Sequence, residues 1–309
     1  MKHDYVLADV FTDRLFGGNQ LAVFLDGDQL TSAQMQAVAA EINLSETAFL
    51  GARKGPDESW PLRIFTPKIE LPFAGHPTVG TALAMAWTGL IRPKEAVTTV
   101  EFQEGIGPVK VRVTWCDGAP RSATLSVAGP SKTGPTPDTD QVAAILGLRA
   151  EEVGFPRVLD RLGVRTLSMG VPFTLVPLVN RSALARAQLD LSKWQNHLAE
   201  TWAPHLYLFT ADAESPGADF RARMFAPAMG IPEDPATGAA ASALASYLAA
   251  VSGTIQGTGA WVIEQGIEMG RPSRLEIGAT WSGGEVTVVE VGGGAVQVGS
   301  GSIRVPDSA

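Results

Sequence analysis

Residues 76–91 read HPTVGTALAMAWTGLI, a stretch without any formally charged side chain. Residues 235–252 read PATGAAASALASYLAAVS and are equally free of charge. Both stretches are rich in Ala, the strongest helix former. A helix that is apolar or small on every side has to be buried on every side. The sequence therefore predicts two fully buried central helices.

Short strands are predicted around both helices. The strand-like ranges are 5–11, 19–25, 45–51, 62–65, 98–127, 166–178, 206–210 and 260–305, with turn residues between them. Thr31 is a suitable N-cap for a further helix that reaches about Ile42. Two buried helices among many short strands indicate an α+β protein. We expect two pseudo-symmetric domains, each a curved, mostly antiparallel sheet wrapped around its central helix.

A linker separates the two predicted domains. Residues 129–138 read GPSKTGPTPD, a Pro-, Gly-, Ser- and Thr-rich segment with almost nothing to bury. We therefore place the domains at residues 1–128 and 129–309. The sequence leaves open whether the terminal strands pack back on the first domain.

A weak internal repeat supports two similar domains. Arg63-Ile-Phe-Thr-Pro67 resembles Arg223-Met-Phe-Ala-Pro227. At the start of each charge-free run, a polar residue is followed by Pro, as His76-Pro77 and as Asp234-Pro235. Chance similarity is the alternative, because Pro, Gly and Ala are common in this chain. Pro suits the first position of a helix, so we expect Pro77 and Pro235 to open the two helices.

The two helix starts are candidate anion sites. The first amides of a helix lack intrahelical partners and carry a partial positive charge, which suits a carboxylate. Gly75 and Gly238 allow a ligand to approach the backbone closely. His76 and Asp234 are the polar residues of the two motifs. The alternative is that Pro and Gly simply begin two buried helices.

Glu46 is a candidate acid–base group. In Leu44-Ser-Glu46-Thr-Ala48-Phe-Leu50, strand alternation places Glu46 on the face of the apolar residues. An ionised carboxylate on such a face is costly, so we expect a raised pKa for Glu46. A general acid or base at neutral pH needs this tuning. The alternative is a Glu exposed at the edge of a sheet.

Composition argues against several classes of function. The 309 residues include 24 Lys and Arg against 32 Asp and Glu, a net charge of −8. This acidity argues against nucleic-acid binding, which needs clustered Lys and Arg, and against docking on an anionic membrane. Asp4 and Asp9 interrupt the first residues, so no signal peptide is predicted.

Cysteine and histidine usage narrows the chemistry further. Cys116 is the single cysteine, which excludes an intrachain disulfide and any mechanism with two thiols. We expect it to be a small packed residue at a strand end and the chain to work in a reducing cytoplasm. The four His residues lack metal-ligand spacing, so no metal site is predicted.

Motifs spread over most of the chain resemble those of the PhzF family, the phenazine-biosynthesis isomerase-like proteins. The matching segments are Asp9-Val-Phe-Thr12 with Gly18-Asn19-Gln-Leu-Ala-Val-Phe24, Asn43-Leu-Ser-Glu46-Thr-Ala-Phe49, Leu71-Pro-Phe-Ala-Gly75-His76-Pro-Thr-Val-Gly80, and Glu233-Asp234-Pro-Ala-Thr-Gly238. The resemblance implies the diaminopimelate epimerase-like fold, no metal or organic cofactor, a small carboxylate substrate and a homodimer. The characterised member isomerises a dihydro-hydroxyanthranilate by moving a proton between ring carbons.

The resemblance also implies roles for individual residues. Glu46 matches the catalytic acid–base residue of the family, and His76 and Asp234 match its polar catalytic residues. Gly75 and Gly238 match glycines whose backbone faces the substrate carboxylate.

The remaining site residues include the departures from the family. Asn19 and Ala239 complete the expected substrate-binding set. The family often has Ser where this chain has Ala239, and usually has Pro where this chain has Gln20. The loss of a Ser hydroxyl puts the substrate in doubt more than the chemistry.

The leading hypothesis is a cofactor-independent isomerase or epimerase that moves a proton within a small carboxylate-bearing metabolite. The alternative is a non-catalytic small-carboxylate-binding or interaction protein that retains the fold, an interpretation that Ala239 favours. A third interpretation is a lyase or hydrolase in which Glu46 activates water. The presence of Glu46, His76 and Asp234 together favours the isomerase.

Overall fold

The structure is a computed structural model that describes residues 2–53, 55, 58–155 and 163–306. It divides into two compact units. Unit 1 comprises Met1–Ser126 and Gly292–Ala309, and unit 2 comprises Val127–Val291.

Strands dominate the described residues of both units. In chain order they are β1 (Lys2–Val10), β2 (Asn19–Phe24), β3 (Glu46–Leu50), β4 (Trp60–Phe65), β5 (Glu70–Leu71), β6 (Val97–Glu104), β7 (Gly107–Cys116), β8 (Ala119–Ala128), β9 (Lys132–Thr133), β10 (Arg165–Ser168), β11 (Pro172–Pro177), β12 (His205–Thr210), β13 (Phe220–Ala226), β14 (Ile231–Asp234), β15 (Gly257–Gln265), β16 (Ser273–Ser282), β17 (Glu285–Gly293) and β18 (Ala295–Arg304). The α-helices are α1 (Ser32–Ile42), α2 (Gly75–Trp87), α3 (Thr139–Ile145), α4 (Arg181–Arg186), α5 (Leu191–His197) and α6 (Gly238–Val251).

The sheet of unit 1 is mostly antiparallel. β1 pairs antiparallel with β2 and with β18. β2 and β3 are parallel, since α1 carries the chain back between them. β3–β4, β4–β5, β6–β7 and β7–β8 are antiparallel, and β4–β6 is parallel.

Unit 2 repeats the strand pairing of unit 1. β10–β11 is antiparallel, β11–β12 parallel, β12–β13 and β13–β14 antiparallel, β13–β15 parallel and β15–β16 antiparallel. This order matches β1 to β7 strand by strand. The long buried helix also has the same place in the strand order of each unit. In unit 1, α2 lies between β5 and β6, and in unit 2, α6 lies between β14 and β15.

Both long helices are buried, as their charge-free sequences predict. Every residue of α2 from Gly75 to Ala86 is buried, and α2 packs against β1, β2, β3, β7 and β18. A Cβ on Gly80 would lie 2.5 Å from Cδ2 of Leu21 and 2.7 Å from Cγ2 of Val10. Small residues therefore allow the sheet to wrap closely around this helix. In unit 2, α6 packs against β10, β11, β15 and β16.

The Arg–Phe part of the sequence repeat forms the same contacts in both units. Arg63 makes two hydrogen bonds to Glu70, and its guanidinium lies 5.1 Å from the ring centroid of Phe65. Arg223 makes two hydrogen bonds to Glu233 and lies 4.9 Å from the ring centroid of Phe225. The matching blocks thus have the same local structure.

The expectation that Pro77 and Pro235 open the helices is wrong. Pro77 is the third residue of α2, where its missing N–H still falls within the unpaired first turn. Pro235 precedes α6, which begins at Gly238. The Pro235 carbonyl accepts a hydrogen bond from Ser273, which holds this segment against β16 rather than in the helix.

The uncharged character of these helices raises the question of a membrane span. No helix in the described part of the chain combines the length and the hydropathy needed to cross a membrane.

Candidate functional site

Glu46 begins β3, and the fold buries its carboxyl inside unit 1. α1 starts with a capping box between Thr31 and Gln34 and ends at Asn43 in the left-handed conformation, which turns the chain into β3. β3 pairs with β2 on one side and β4 on the other. Glu46 is 9 % exposed. The alternative of an exposed Glu at a sheet edge is therefore wrong.

His76 faces Glu46 from the first turn of α2. Its Nε2 lies 3.7 Å from Oε2 of Glu46, and the imidazole is buried. Burial lowers the pKa of His76 to about 3, and a hydrogen bond with the backbone of Gln20 opposes this shift. The imidazole is thus neutral at physiological pH, and the contact with Glu46 is not an ion pair.

A chain of side chains orients the imidazole. Ser45 donates a hydrogen bond to Oδ1 of Asn19 at 3.2 Å, which fixes the orientation of the Asn19 amide. The amide nitrogen of Asn19 lies 3.4 Å from Nδ1 of His76. Because Nδ1 is engaged from the β2 side, Nε2 is the ring atom that faces Glu46. Unit 1 therefore brings together Asn19, Glu46 and His76, three of the predicted site residues.

Gly75 and Gly238 occupy the same position in their helices. Each is the first helical residue, preceded by the N-cap residues Ala74 and Thr237. Neither N-cap residue caps its helix with a side-chain hydrogen bond. Ala239 follows Gly238 in the first turn of α6 and is partly exposed. Both helix starts thus keep backbone donors of the kind that bind carboxylates.

Asp234 lies at the end of β14 in unit 2, where side chains hold the turn that leads into α6. It is buried and accepts a short hydrogen bond from the hydroxyl of Thr237. Nε2 of Gln265 donates to the Asp234 carbonyl at 2.8 Å, and Oε1 of Gln265 accepts from the Thr237 amide at 3.3 Å and from the Tyr207 hydroxyl at 3.1 Å. Asp234 and the start of α6 are therefore fixed together.

Three positioning residues were not predicted from the sequence. Ser45 lies next to Glu46 in its motif, so that motif contained a usable signal. Thr237 lies in the second helix-start motif in the same way. Gln265 acts across a long sequence separation and had no local signal, because only the pairing of β13 with β15 brings it to Asp234.

The single cysteine is exposed, contrary to the expectation of a packed residue. β7 alternates strictly at its end, so Trp115 points inward and Cys116 outward. Within residues 2–53, 55, 58–155 and 163–306, no group of three or more His, Cys, Asp or Glu side chains could hold a metal ion.

Comparison with known proteins identifies the family. The model of the phenazine biosynthesis-like protein family matches residues 8–301. An uncharacterized isomerase of Mesorhizobium japonicum is 38 % identical over 306 residues and covers 98 % of this chain and 99 % of that protein. A trans-2,3-dihydro-3-hydroxyanthranilate isomerase of Pseudomonas fluorescens is 36 % identical, covering 97 % of this chain and 99 % of that protein.

A solved structure agrees with these relatives. The structure of a predicted epimerase from Pseudomonas aeruginosa superposes with a TM-score of 0.78 at 29 % identity, over 98 % of this chain and 100 % of that chain. The diaminopimelate epimerase-like fold expected from the sequence is thereby confirmed. The chain belongs to the phenazine biosynthesis-like protein family and is an isomerase of that family.

Proposed function

We propose that this isomerase moves a proton between two carbons of a small carboxylate-bearing metabolite without a cofactor, and that Glu46 carries the proton. The observation that supports the proposal most is the buried Glu46 carboxyl facing a buried, neutral His76 at the start of α2. A positioned carboxyl in an apolar setting is a suitable general acid and base.

Each site residue receives a role in this proposal. Glu46 removes a proton from one carbon and returns it to another, so the substrate and the product have the same mass. His76, held by Asn19, orients the substrate through a neutral imidazole. The amides at the start of α2, beginning at Gly75, hold the substrate carboxylate, as helix starts hold anions in general.

Catalytic and substrate-binding roles are proposed for residues of unit 2 as well. Asp234 serves as a polar catalytic residue, and the amides of Gly238 and Ala239 serve as substrate contacts. The support is the resemblance in the second helix-start motif, together with the hydrogen bonds that fix Asp234 through Thr237 and Gln265.

The names of the relatives support a proposal for the substrate class. We propose a cyclic amino acid or hydroxy acid related to trans-2,3-dihydro-3-hydroxyanthranilate, the compound named for the Pseudomonas fluorescens relative. The direct experiment is proton NMR of that compound with the wild-type protein in D₂O. An equal-mass product, apart from exchanged deuterium, supports the isomerase. A product of different mass supports a lyase or hydrolase, and binding without proton exchange supports a non-catalytic binding protein.

With Ala239 in place of the Ser that the family often has, we expect a lower affinity for this substrate. A Ser at this position would add one donor to the carboxylate, and a hydrogen bond to a charged group contributes about 1.5–3 kcal/mol. We predict that Ala239→Ser raises kcat/KM for dihydro-hydroxyanthranilate by about ten- to a hundredfold. Ala250→Ser, at the exposed far end of α6, serves as the control. An unchanged kcat/KM in Ala239→Ser would show that the carboxylate does not reach this position.

The assembly and setting of the protein are proposed as well. The resemblance to the family supports a homodimer, which light scattering on the purified protein would test directly. The single exposed cysteine supports a reducing, cytoplasmic environment. Cell fractionation with an antibody to the chain would test that setting.

A further inference from the structure

A second buried carboxyl lies near the start of α2, on a different strand from Glu46. Glu104 ends β6 and is 5 % exposed. Its Oε1 lies 2.8 Å from Oγ1 of Thr78 in α2. Its Oε2 has no hydrogen-bond partner among the residues that the structure describes. The proposed proton transfer does not use this group.

The hydroxyl of Thr78 has one proton and two oxygen neighbours. Oγ1 lies 2.8 Å from the Ala74 carbonyl oxygen and 2.8 Å from Oε1 of Glu104. A hydroxyl donates only one hydrogen bond. Both contacts are therefore hydrogen bonds only when Glu104 is protonated and donates to Thr78, while Thr78 donates to Ala74. The geometry thus fits a neutral Glu104.

The surroundings of Glu104 favour the same protonation state. Burial raises the pKa of Glu104 to about 8, and the hydrogen bond with Thr78 opposes this shift. The ionisable groups on the neighbouring elements are engaged elsewhere or neutral. They include neutral His76 on α2, Arg63 on β4 paired with Glu70 on β5 at 2.6 Å, and Lys110 on β7 paired with Glu101 on β6 at 4.0 Å. Arg112, also on β7, donates to the Ser126 hydroxyl at 3.4 Å.

Thr78 connects Glu104 to the N-cap of α2. The Ala74 carbonyl accepts hydrogen bonds from both the amide and the hydroxyl of Thr78, and the Ala74 peptide leads directly into Gly75. When Glu104 ionises, Thr78 turns its proton to the carboxylate and the Ala74 carbonyl loses its hydroxyl donor. A negative charge then lies close to the helix start, where it opposes the binding of an anion.

We propose that protonated Glu104 is a positioning residue that holds the start of α2 ready for a carboxylate, and that its ionisation weakens carboxylate binding in alkaline solution. This inference rests on the proposed function of the α2 start as the carboxylate site. Glu104 does not contact the reacting carbons in this proposal and acts only through Thr78 and Ala74.

The test compares Glu104→Gln with Glu101→Gln, a carboxyl of the same strand that is partly exposed and paired with Lys110. Anthranilate binding is measured by calorimetry between pH 6.5 and 9.5 for each protein, a range chosen to span about 1.5 units either side of the midpoint. The wild-type affinity should fall above about pH 8, by at most about tenfold per pH unit for a single proton, and level off at the affinity of the ionised form. Glu101→Gln should show the same fall. Glu104→Gln, whose amide donates to Thr78 at every pH, should show none.

Turnover gives a second readout on any substrate that the wild type converts. KM should rise with pH in the wild type and stay flat in Glu104→Gln, while kcat keeps one pH profile in both. Thr78→Ser retains the hydroxyl and should behave as the wild type, whereas Thr78→Val should bind carboxylate weakly throughout. If Glu104→Gln does not fold, the comparison of Thr78→Ser with Thr78→Val still tests the inference.

Three results would overturn the inference. They are an alkaline loss of affinity that persists in Glu104→Gln, a wild-type affinity that does not change with pH, and a wild type that binds no carboxylate. Failure of the proposed function looks different, because Glu46→Gln would then keep full turnover while the pH dependence of anthranilate binding still depended on Glu104.

Discussion

Replacement of Glu46 by Gln is expected to lower kcat by about 10²- to 10⁴-fold, the usual contribution of a general acid–base residue. The amide of Gln has nearly the shape of the carboxyl and can still contact Nε2 of His76. It cannot accept a proton from a carbon atom. Deuterium incorporation from D₂O into the substrate should be lost together with product formation, and proton NMR measures both in one sample.

The control for this variant is Glu41→Gln. Glu41 lies near the end of α1 and is exposed, so the same chemical change there should leave turnover at the wild-type value. Circular dichroism should be the same for the wild type and both variants. A folded Glu46→Gln protein with wild-type kcat would remove Glu46 from the reaction and leave His76 and Asp234 as the remaining candidates.

Replacement of Arg223 by Met is expected to destabilise unit 2 by about 3–5 kcal/mol, the cost of removing one partner from a buried ion pair. Arg223 is buried. Beyond its two bonds to Glu233, it donates to the carbonyls of Leu184 and Ala187 at 2.9 and 2.8 Å, at the end of α4. Met fills the same space but leaves the carboxylate and these carbonyls without their donor.

The internal repeat provides a matched control for Arg223. Arg63→Met removes the corresponding guanidinium in unit 1, where Arg63 and Glu70 have side chains that are 33 % and 42 % exposed. Exposed pairs contribute about 0–1 kcal/mol, so this variant should unfold almost as the wild type does. Urea unfolding followed by circular dichroism measures both. Equal losses in the two variants would contradict the argument from burial.

The central helices could be predicted because their burial leaves a local signature. A helix without charged side chains has no face for solvent, and residues 76–91 and 235–252 locate α2 and α6 to within a few residues. The start of α6 could not be predicted in this way. Gln265 and Ser273 lie far along the chain from Pro235, yet they hold the residues before Gly238 in a turn.

In the candidate site, too, residues with a local sequence signal could be predicted and contacts between distant segments could not. Glu46 was a candidate because strand alternation places it among apolar side chains, and the resemblance selected it from other Glu residues. The Ser45–Asn19–His76 chain joins three elements, so no window of sequence contains it. Glu104 carries the same alternation signal, since it shares the buried face of β6 with Val100 and Phe102. Its contact with Thr78 could not be predicted, because Thr78 lies on a helix far from β6 in the sequence.

The last strand of unit 1 has a consequence for biosynthesis. β18 pairs with β1 along its whole length, from Lys2 opposite Arg304 to Val10 opposite Ala295, although residues 127–291 of unit 2 separate the two parts of unit 1. A ribosome makes β1 long before β18, so the edge of β1 that pairs with β18 remains unpaired while the residues between them are made, and such edges invite pairing with other chains. Unit 2 is continuous and can fold as it emerges, whereas unit 1 cannot complete its sheet until residues 295–304 have been synthesised, so we expect this edge of β1 to be the exposed part of the nascent chain in that interval.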